Sequence, residues 1–229
     1  MLKQQRLDAL SDGIFAIVMT LLVLEIRVPE IAGRFVTEAN LFHSLLEILP
    51  LLFIYATSFT LLYVYWRGQH YIASVFAHNL DNRLTSINAV FLLLIGLVPF
   101  STHFLGLYLF YQIPIIIYGL HMLMISVTLL WMRVHVRDSS DIESDPIDKR
   151  SDARGMIRIV MPGVMAIVAI ALSFVNVLLS LSLFVIAIYF NLATSNAHWL
   201  DRFFDWVNSK FINKPRKKNV LKPKSSKKK

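Results

Sequence analysis

The sequence predicts an all-α integral membrane protein with six transmembrane helices per subunit, and three observations predict it. Hydrophobic residues make up 56% of the chain and charged residues only 17%, against about 25% charged in soluble domains. No Asp, Glu, Lys or Arg occurs between Arg83 and Arg133, nor between Arg158 and Asp201. One crossing takes about 20 apolar residues, so each of these stretches holds a pair of helices joined by a tight turn. Once helices are placed on that basis, nearly all Lys and Arg fall on one side of the membrane.

Each helix is then read in turn. The first spans about Leu7 to Val28, interrupted near its start by Ser11 and Asp12. It lacks a small-residue cleavage site and ends in Glu25, Arg27 and Pro29, so it reads as a retained helix rather than a removed signal. The second covers roughly Leu45 to Trp66, with Pro50 in its first turns, where a missing amide is tolerated. A polar extension runs on through His70 towards His78. The third starts near Leu84 and stops around Pro99, and the fourth runs from about Leu107 to Met132 with Pro114 inside it. A polar linker, Val134 to Gly155, precedes the fifth helix (about Ile157 to Phe174) and the sixth (about Leu178 to Leu192). Residues 1–200 thus form one membrane domain, followed by a basic tail, 201–229, expected to be disordered.

Orientation follows from charge. The N-terminus, the loops after helices two and four, and the tail carry 21 of the 23 Lys and Arg residues; only Arg27 and Arg34 lie on the other side. The positive-inside rule makes the rich side cytoplasmic. The expectation is a multi-pass protein of the cell membrane with both termini in the cytoplasm. The tail itself, "KFINKPRKKNVLKPKSSKKK", suits anionic lipid, each charge near the surface being worth about 1 kcal/mol. With no aromatic residue after Phe211 and no folded module, it does not read as a nucleic-acid site.

Several chemistries are set aside by composition. The chain has no cysteine, which removes disulfides, thiol catalysis and cysteine-based metal sites. His70, His78 and Asp81 have a superficial metal-cluster spacing, but 70 and 78 are not the i, i+4 pair that places two ligands on one helical face. No cofactor, no resident metal and no enzymatic activity are expected.

Polar residues surviving inside apolar spans are costly and usually face a bundle interior or a water path. In the first helix, Arg6, Ser11 and Asp12 cluster at the cytoplasmic end. Ile17, Thr20 and Leu24 then fall at i, i+3, i+7 on one face, with the small residues Gly13 and Ala16 continuing it. These residues alone allow a packing stripe with Asp12 paired to Arg6, and a Thr bonded to its own backbone.

The run from Arg6 to Ile26, "RLDALSDGIFAIVMTLLVLEI", resembles the signature first helix of the transmembrane protein 175 family. Trp66 and His70 resemble that family's W-x-x-x-H at the end of the second helix. Asn88 with Pro99, Phe100, Ser101 and Thr102 resembles its N…PFxT third helix. The likeness is strongest over about residues 6–104, and Leu10 departs from it, standing where the motif usually has Phe.

The resemblance implies a potassium-permeable channel, assembled as a homotetramer, with the first helix of each subunit lining a pore at the oligomer axis. It implies that Ile17 and Leu24 form apolar constricting rings, with Thr20 a ring of hydroxyls between them that favours K⁺ modestly over Na⁺. The sequence contains no TVGYG filter. Arg6, Ser11, Asp12, Trp66, His70 and Asn88 are implied to form a structural network at the cytoplasmic mouth. A secondary transporter is the alternative reading, with Pro99 and Pro114 marking broken helices; against it, residues 1–105 and 106–229 show no internal repeat of the kind transporters carry.

Overall fold

The protein is described here from a computed structural model over residues 4–27, 36–72, 81–139, 142 and 149–193. The basic tail 201–229, Arg34, His78 and much of the polar linker lie outside the described residues. Among those described, every regular element is helical: α1 (Gln4–Leu24), α2 (Glu38–Glu47), α3 (Leu49–His70), α4 (Asn82–Gly96), α5 (Val98–Leu107), α6 (Gln112–Asp138), α7 (Lys149–Ser173) and α8 (Val177–Ala193).

Local chemistry sets the helix starts. Thr37 caps α2, its hydroxyl accepting the Asn40 amide at 3.3 Å. Asp81 caps α4, its carboxylate accepting the Leu84 amide at 2.6 Å. Asn176 caps α8 through the Leu178 amide at 2.8 Å. Such caps satisfy amides that the first turn leaves without an intrahelical partner.

Two spans are broken by the same device. Ile48 (φ −87°, ψ −7°) separates α2 from α3, and Leu97 (φ −87°, ψ −5°) separates α4 from α5. In each case a proline, Pro50 or Pro99, stands two residues on. Proline offers no amide to the preceding turn and disfavours helical geometry in the residue before it. The chain bends and a new helix begins.

Taken with these bends, four stretches among the described residues are long and apolar enough to cross a membrane: Gln4–Leu24, Glu38–His70, Asn82–Leu107 and Gln112–Asp138. Ile159–Ser173 is a shorter apolar helix. Several expected limits are corrected here. Pro99 does not stop the third span; it opens α5, because a first-turn proline gives up an amide that has no helical partner anyway. The following helix begins at Gln112 rather than Leu107, since Tyr108 to Tyr111 form a turn closed by a 3.0 Å amide–carbonyl bond. It continues to Asp138 and α7 already begins at Lys149, which shortens the linker expected over Val134 to Gly155.

The helices bury one side and present apolar residues on the other. Phe15, Leu22, Leu62, Tyr65, Phe91 and Met122 lie in the core, whereas Leu93, Phe100, Val127 and Leu178 point outward. Lipid is as apolar as leucine, so close packing rather than hydrophobic exclusion holds such a bundle together. Glycines permit the approach of α6 to α7: a Cβ on Gly119 would lie 2.8 Å from Ile170 Cγ1, and one on Gly163 would lie 3.0 Å from Ser126 Cβ. Phe15 of α1 meets Phe91 of α4 with ring centroids 6.0 Å apart. That contact, with neighbours on α3 and α5, fixes which way α1 turns.

Candidate pore face and its supporting network

Helix α1 divides cleanly. Leu7, Ser11, Phe15, Val18 and Leu22 are buried against the other helices of the chain. Their spacing of three and four places them on one stripe. The opposite side is open: Gly13, Ala16 and Thr20 are exposed, Ile17 is 59% exposed and Leu24 is 68% exposed. The Ile17, Thr20 and Leu24 face expected from sequence therefore points away from the bundle that carries it. The Thr20 hydroxyl donates to the Ile17 and Ala16 carbonyls at 2.8 and 3.1 Å. Its hydrogen is directed back at the helix, which leaves the oxygen lone pairs facing outward.

Behind that face sits a polar network. Ser11 Oγ donates to the Leu7 carbonyl at 2.9 Å and accepts from Gln69 Nε2 at 3.2 Å and Asn88 Nδ2 at 3.4 Å. Gln69 also donates to Asn88 Oδ1 at 3.2 Å. All three side chains are buried, and together they tie α1 to α3 and α4. Beside them, Trp66 Nε1 donates to Asp12 Oδ1 at 2.8 Å, and the Trp66 ring stacks on His70 with centroids 5.7 Å apart. The structure brings Ser11, Asn88, Asp12, Trp66 and His70 into one region but leaves Arg6 apart, exposed on α1. Asp12 pairs with Trp66, not with Arg6.

Gln69 is the member that sequence reasoning missed. It sits inside the W-x-x-x-H spacing, and its position seven beyond Leu62 and four beyond Tyr65 puts it on the buried face of α3. A polar side chain in phase with core residues was the available signal.

Further pairs bind the bundle internally. Ser58 Oγ lies 2.9 Å from the Tyr118 hydroxyl and accepts from Thr102 Oγ1 at 2.9 Å. The Tyr65 hydroxyl donates to the Met122 carbonyl at 3.0 Å and meets Ser126 Oγ at 2.9 Å. His121 places Nδ1 2.8 Å from Ser101 Oγ and Nε2 2.9 Å from the Leu94 carbonyl, which also accepts the Leu97 amide at 3.0 Å.

Two histidine–carboxylate pairs stand near opposite ends of the spans. His103 Nδ1 lies 2.9 Å from Glu25 Oε2 just beyond the end of α1, and His135 Nε2 lies 2.6 Å from Asp81 Oδ2 at the start of α4. Burial pushes the Asp81 carboxyl up, but the Leu84 amide and His135 outweigh it and hold it below the usual carboxylate range. Asp81 is thus a helix cap paired with His135. Among the described residues no three His, Asp or Glu side chains come together in a way that could hold a metal ion.

The profile of the endosomal/lysosomal potassium channel TMEM175 matches residues 6–99, the stretch that contains α1, the network and the Pro99 break. A potassium channel of Chamaesiphon minutus is 35% identical over 195 residues, covering 83% of this chain and 94% of its own length. The chain belongs to the TMEM175 family. The crystal structure of a lysosomal potassium-selective channel TMEM175 homologue, also from Chamaesiphon minutus, superimposes with a TM-score of 0.70 at 30% identity. That superposition covers 85% of this chain and 98% of the other. A potassium channel of Streptomyces collinus is 36% identical over 104 residues, 45% of this chain and 48% of that protein. This chain is therefore a multi-pass membrane protein of a channel family, with the TMEM175 fold.

Proposed function

We propose that the protein is a homotetrameric, potassium-permeable channel whose conduction path is lined by α1 of each subunit. The observation that carries this reading is the open face of α1. Ile17 and Leu24 are largely exposed on a helix whose other side is locked into its own bundle by Phe15, Ser11 and Leu22. In a TMEM175 family member, such an apolar face supports rings of like residues around a shared axis. Ile17 and Leu24 form hydrophobic constrictions that gate by dewetting. Thr20 lies between them, its lone pairs turned outward, and four such oxygens replace part of an ion's hydration shell. The preference for K⁺ over Na⁺ is then modest.

In this reading Ser11, Gln69, Asn88, Asp12 and Trp66 hold the pore helix in place and do not touch the ion. Helices α7 and α8 supply the fifth and sixth crossings. Both termini face the cytoplasm, where the tail meets anionic lipid.

The test is Ile17→Asn in purified protein reconstituted in a bilayer. A polar ring at the narrowest point removes the dewetting barrier, so ion flux should rise in a tetramer that still elutes normally. Unchanged flux from an assembled tetramer overturns Ile17 as the constriction. Bi-ionic K⁺/Na⁺ recording in the same bilayer gives the permeability order, and a reversal potential showing no preference for K⁺ overturns the selectivity.

A further inference from the structure

We infer that Arg6 faces the conduction path at its N-terminal mouth and acts there as a fixed positive barrier that makes ion flow asymmetric. The inference rests on the α1-lined pore proposed above. Family resemblance groups Arg6 with Ser11 and Asp12, but the geometry separates them. Ser11 lies on the buried stripe and Asp12 is bonded to Trp66, while Arg6 is exposed and joins no hydrogen bond or ion pair among the described residues.

Helical phase gives its direction. Leu24 stands eighteen positions beyond Arg6 in the uninterrupted helix Gln4–Leu24, which is about five turns of 3.6 residues. The two side chains therefore leave the helix in the same direction, with Gly13, Ile17 and Thr20 close to the line between them. If Leu24 faces the axis at one end, Arg6 faces it about 27 Å away at the other.

Nothing on α1 neutralises this charge within the subunit. Asp12 is offset from the line and anchored to Trp66. Asp8 is turned towards the bundle, with its Oδ1 buried and without a hydrogen-bond partner. Fourfold assembly then sets four guanidiniums around the mouth, and these stay charged at any physiological pH. At the far end the residue after Leu24 is a carboxylate, Glu25, beside His103. Fixed charge focused in a narrow mouth changes the local concentration of permeating ions. K⁺ approaching from the Arg6 side is repelled and K⁺ approaching from the Glu25 side is not. The channel should pass current more readily towards its N-terminal side, and the asymmetry should fade as salt screens it.

The absence of native cysteine makes a direct test available. Arg6→Cys is assembled, recorded in a planar bilayer at about 0.01 M K⁺, where the screening length is about 30 Å, and then modified from the N-terminal side. One reagent adds a trimethylammonium group and the other a sulfonate, with modification verified by mass. Relative to the unsubstituted channel, Arg6→Cys should raise current leaving the N-terminal side by about tenfold, the low end of what focused charge does to ion concentration. The cationic adduct should restore the original current–voltage relation, and the anionic adduct should push it further from it. At about 1 M salt the three should converge. Identical relations for the two adducts, or a cysteine that neither reagent reaches, overturn the inference. Charge is changed after assembly, so a folding defect cannot mimic either result. Ile17→Asn recorded in parallel separates the two levels: if it alters conduction while the adducts do not, only the role of Arg6 falls. If neither does, the α1-lined pore falls as well.

Discussion

A local contact of the Thr20 hydroxyl is compatible with the role proposed for it. Thr20 bonds the backbone of its own helix, as an isolated threonine in an apolar helix ordinarily does. That bond uses its only hydrogen and leaves the acceptor side facing out. Thr20→Val keeps the volume and β-branching and removes that acceptor, so K⁺/Na⁺ discrimination or K⁺ conductance should fall while assembly is intact. Reversal potentials under bi-ionic conditions check this, and an unaltered potential with unaltered conductance removes Thr20 from the selectivity mechanism. Gln69 answers to a different measurement. Gln69→Leu is close in size but leaves Ser11 and Asn88 buried with fewer partners. An unsatisfied buried polar group costs about 1–3 kcal/mol, so the thermal midpoint of the detergent-solubilised protein should drop. An unchanged midpoint would mean that Ser11 and Asn88 satisfy each other without it.

At the scale of elements, the breaks at Ile48 and Leu97 decide more than the helices they separate. At the α4–α5 bend the Leu94 carbonyl accepts the Leu97 amide three residues on, and His121 of α6 lies within hydrogen-bond distance of both that carbonyl and Ser101 on the far side of the bend. A helix break inside a membrane needs such a partner because no water is present to serve. At the other end of α4, Asp81 caps the helix and binds His135 of α6. Its carboxyl is held below its ordinary value of 3.8. A depressed carboxylate contributes stability that is present above that ordinary value and lost as pH falls through the folded one. The midpoint of the wild-type protein should therefore decline below about pH 4. Asp81→Ala should cost the worth of a cap at neutral pH, about 1 kcal/mol, so the midpoint should fall there, and it should flatten part of the acid decline. An acid limb of undiminished slope in Asp81→Ala would exclude Asp81 as a contributor to it.

Across the described helices, many large apolar side chains are exposed, among them Leu24, Leu93, Phe100, Val127 and Leu178. In the proposed tetramer a subunit needs two kinds of exposed face, one for lipid and one for other copies, and hydropathy does not separate them. Helix α1 carries the small residues Ala9, Gly13 and Ala16 in its first half and is locked from behind by polar bonds. Those features support its place at a common axis. Orientation is testable independently. Cysteines introduced at Arg34 and in the tail should label from opposite sides of sealed vesicles, and labelling from the same side would overturn the proposed six crossings.

The sequence by itself determined that the chain is helical, membrane-embedded and a TMEM175 family member. Those conclusions depend on composition, on charge-free runs and on a motif from Arg6 to Ile26, all of which are local. It located Ile17, Thr20 and Leu24 on one face of α1, because helical phase is arithmetic on position. Only the tertiary structure decided which way that face points. The same stripe could have packed inward, and the burial of Phe15 against Phe91 together with Ser11 against Gln69 and Asn88 turns it out. Only the structure moved Arg6 out of the network, brought Gln69 in, and paired Asp81 with His135 across 54 positions of chain. Such pairings arise from packing distant helices side by side, and no periodicity within one helix encodes its neighbour. The ends of the spans were misread for a related reason. A proline that ends one helix and one that begins the next look alike in sequence, and the difference lies in the tertiary packing around the bend, where His121 of α6 bridges Leu94 and Ser101 across it.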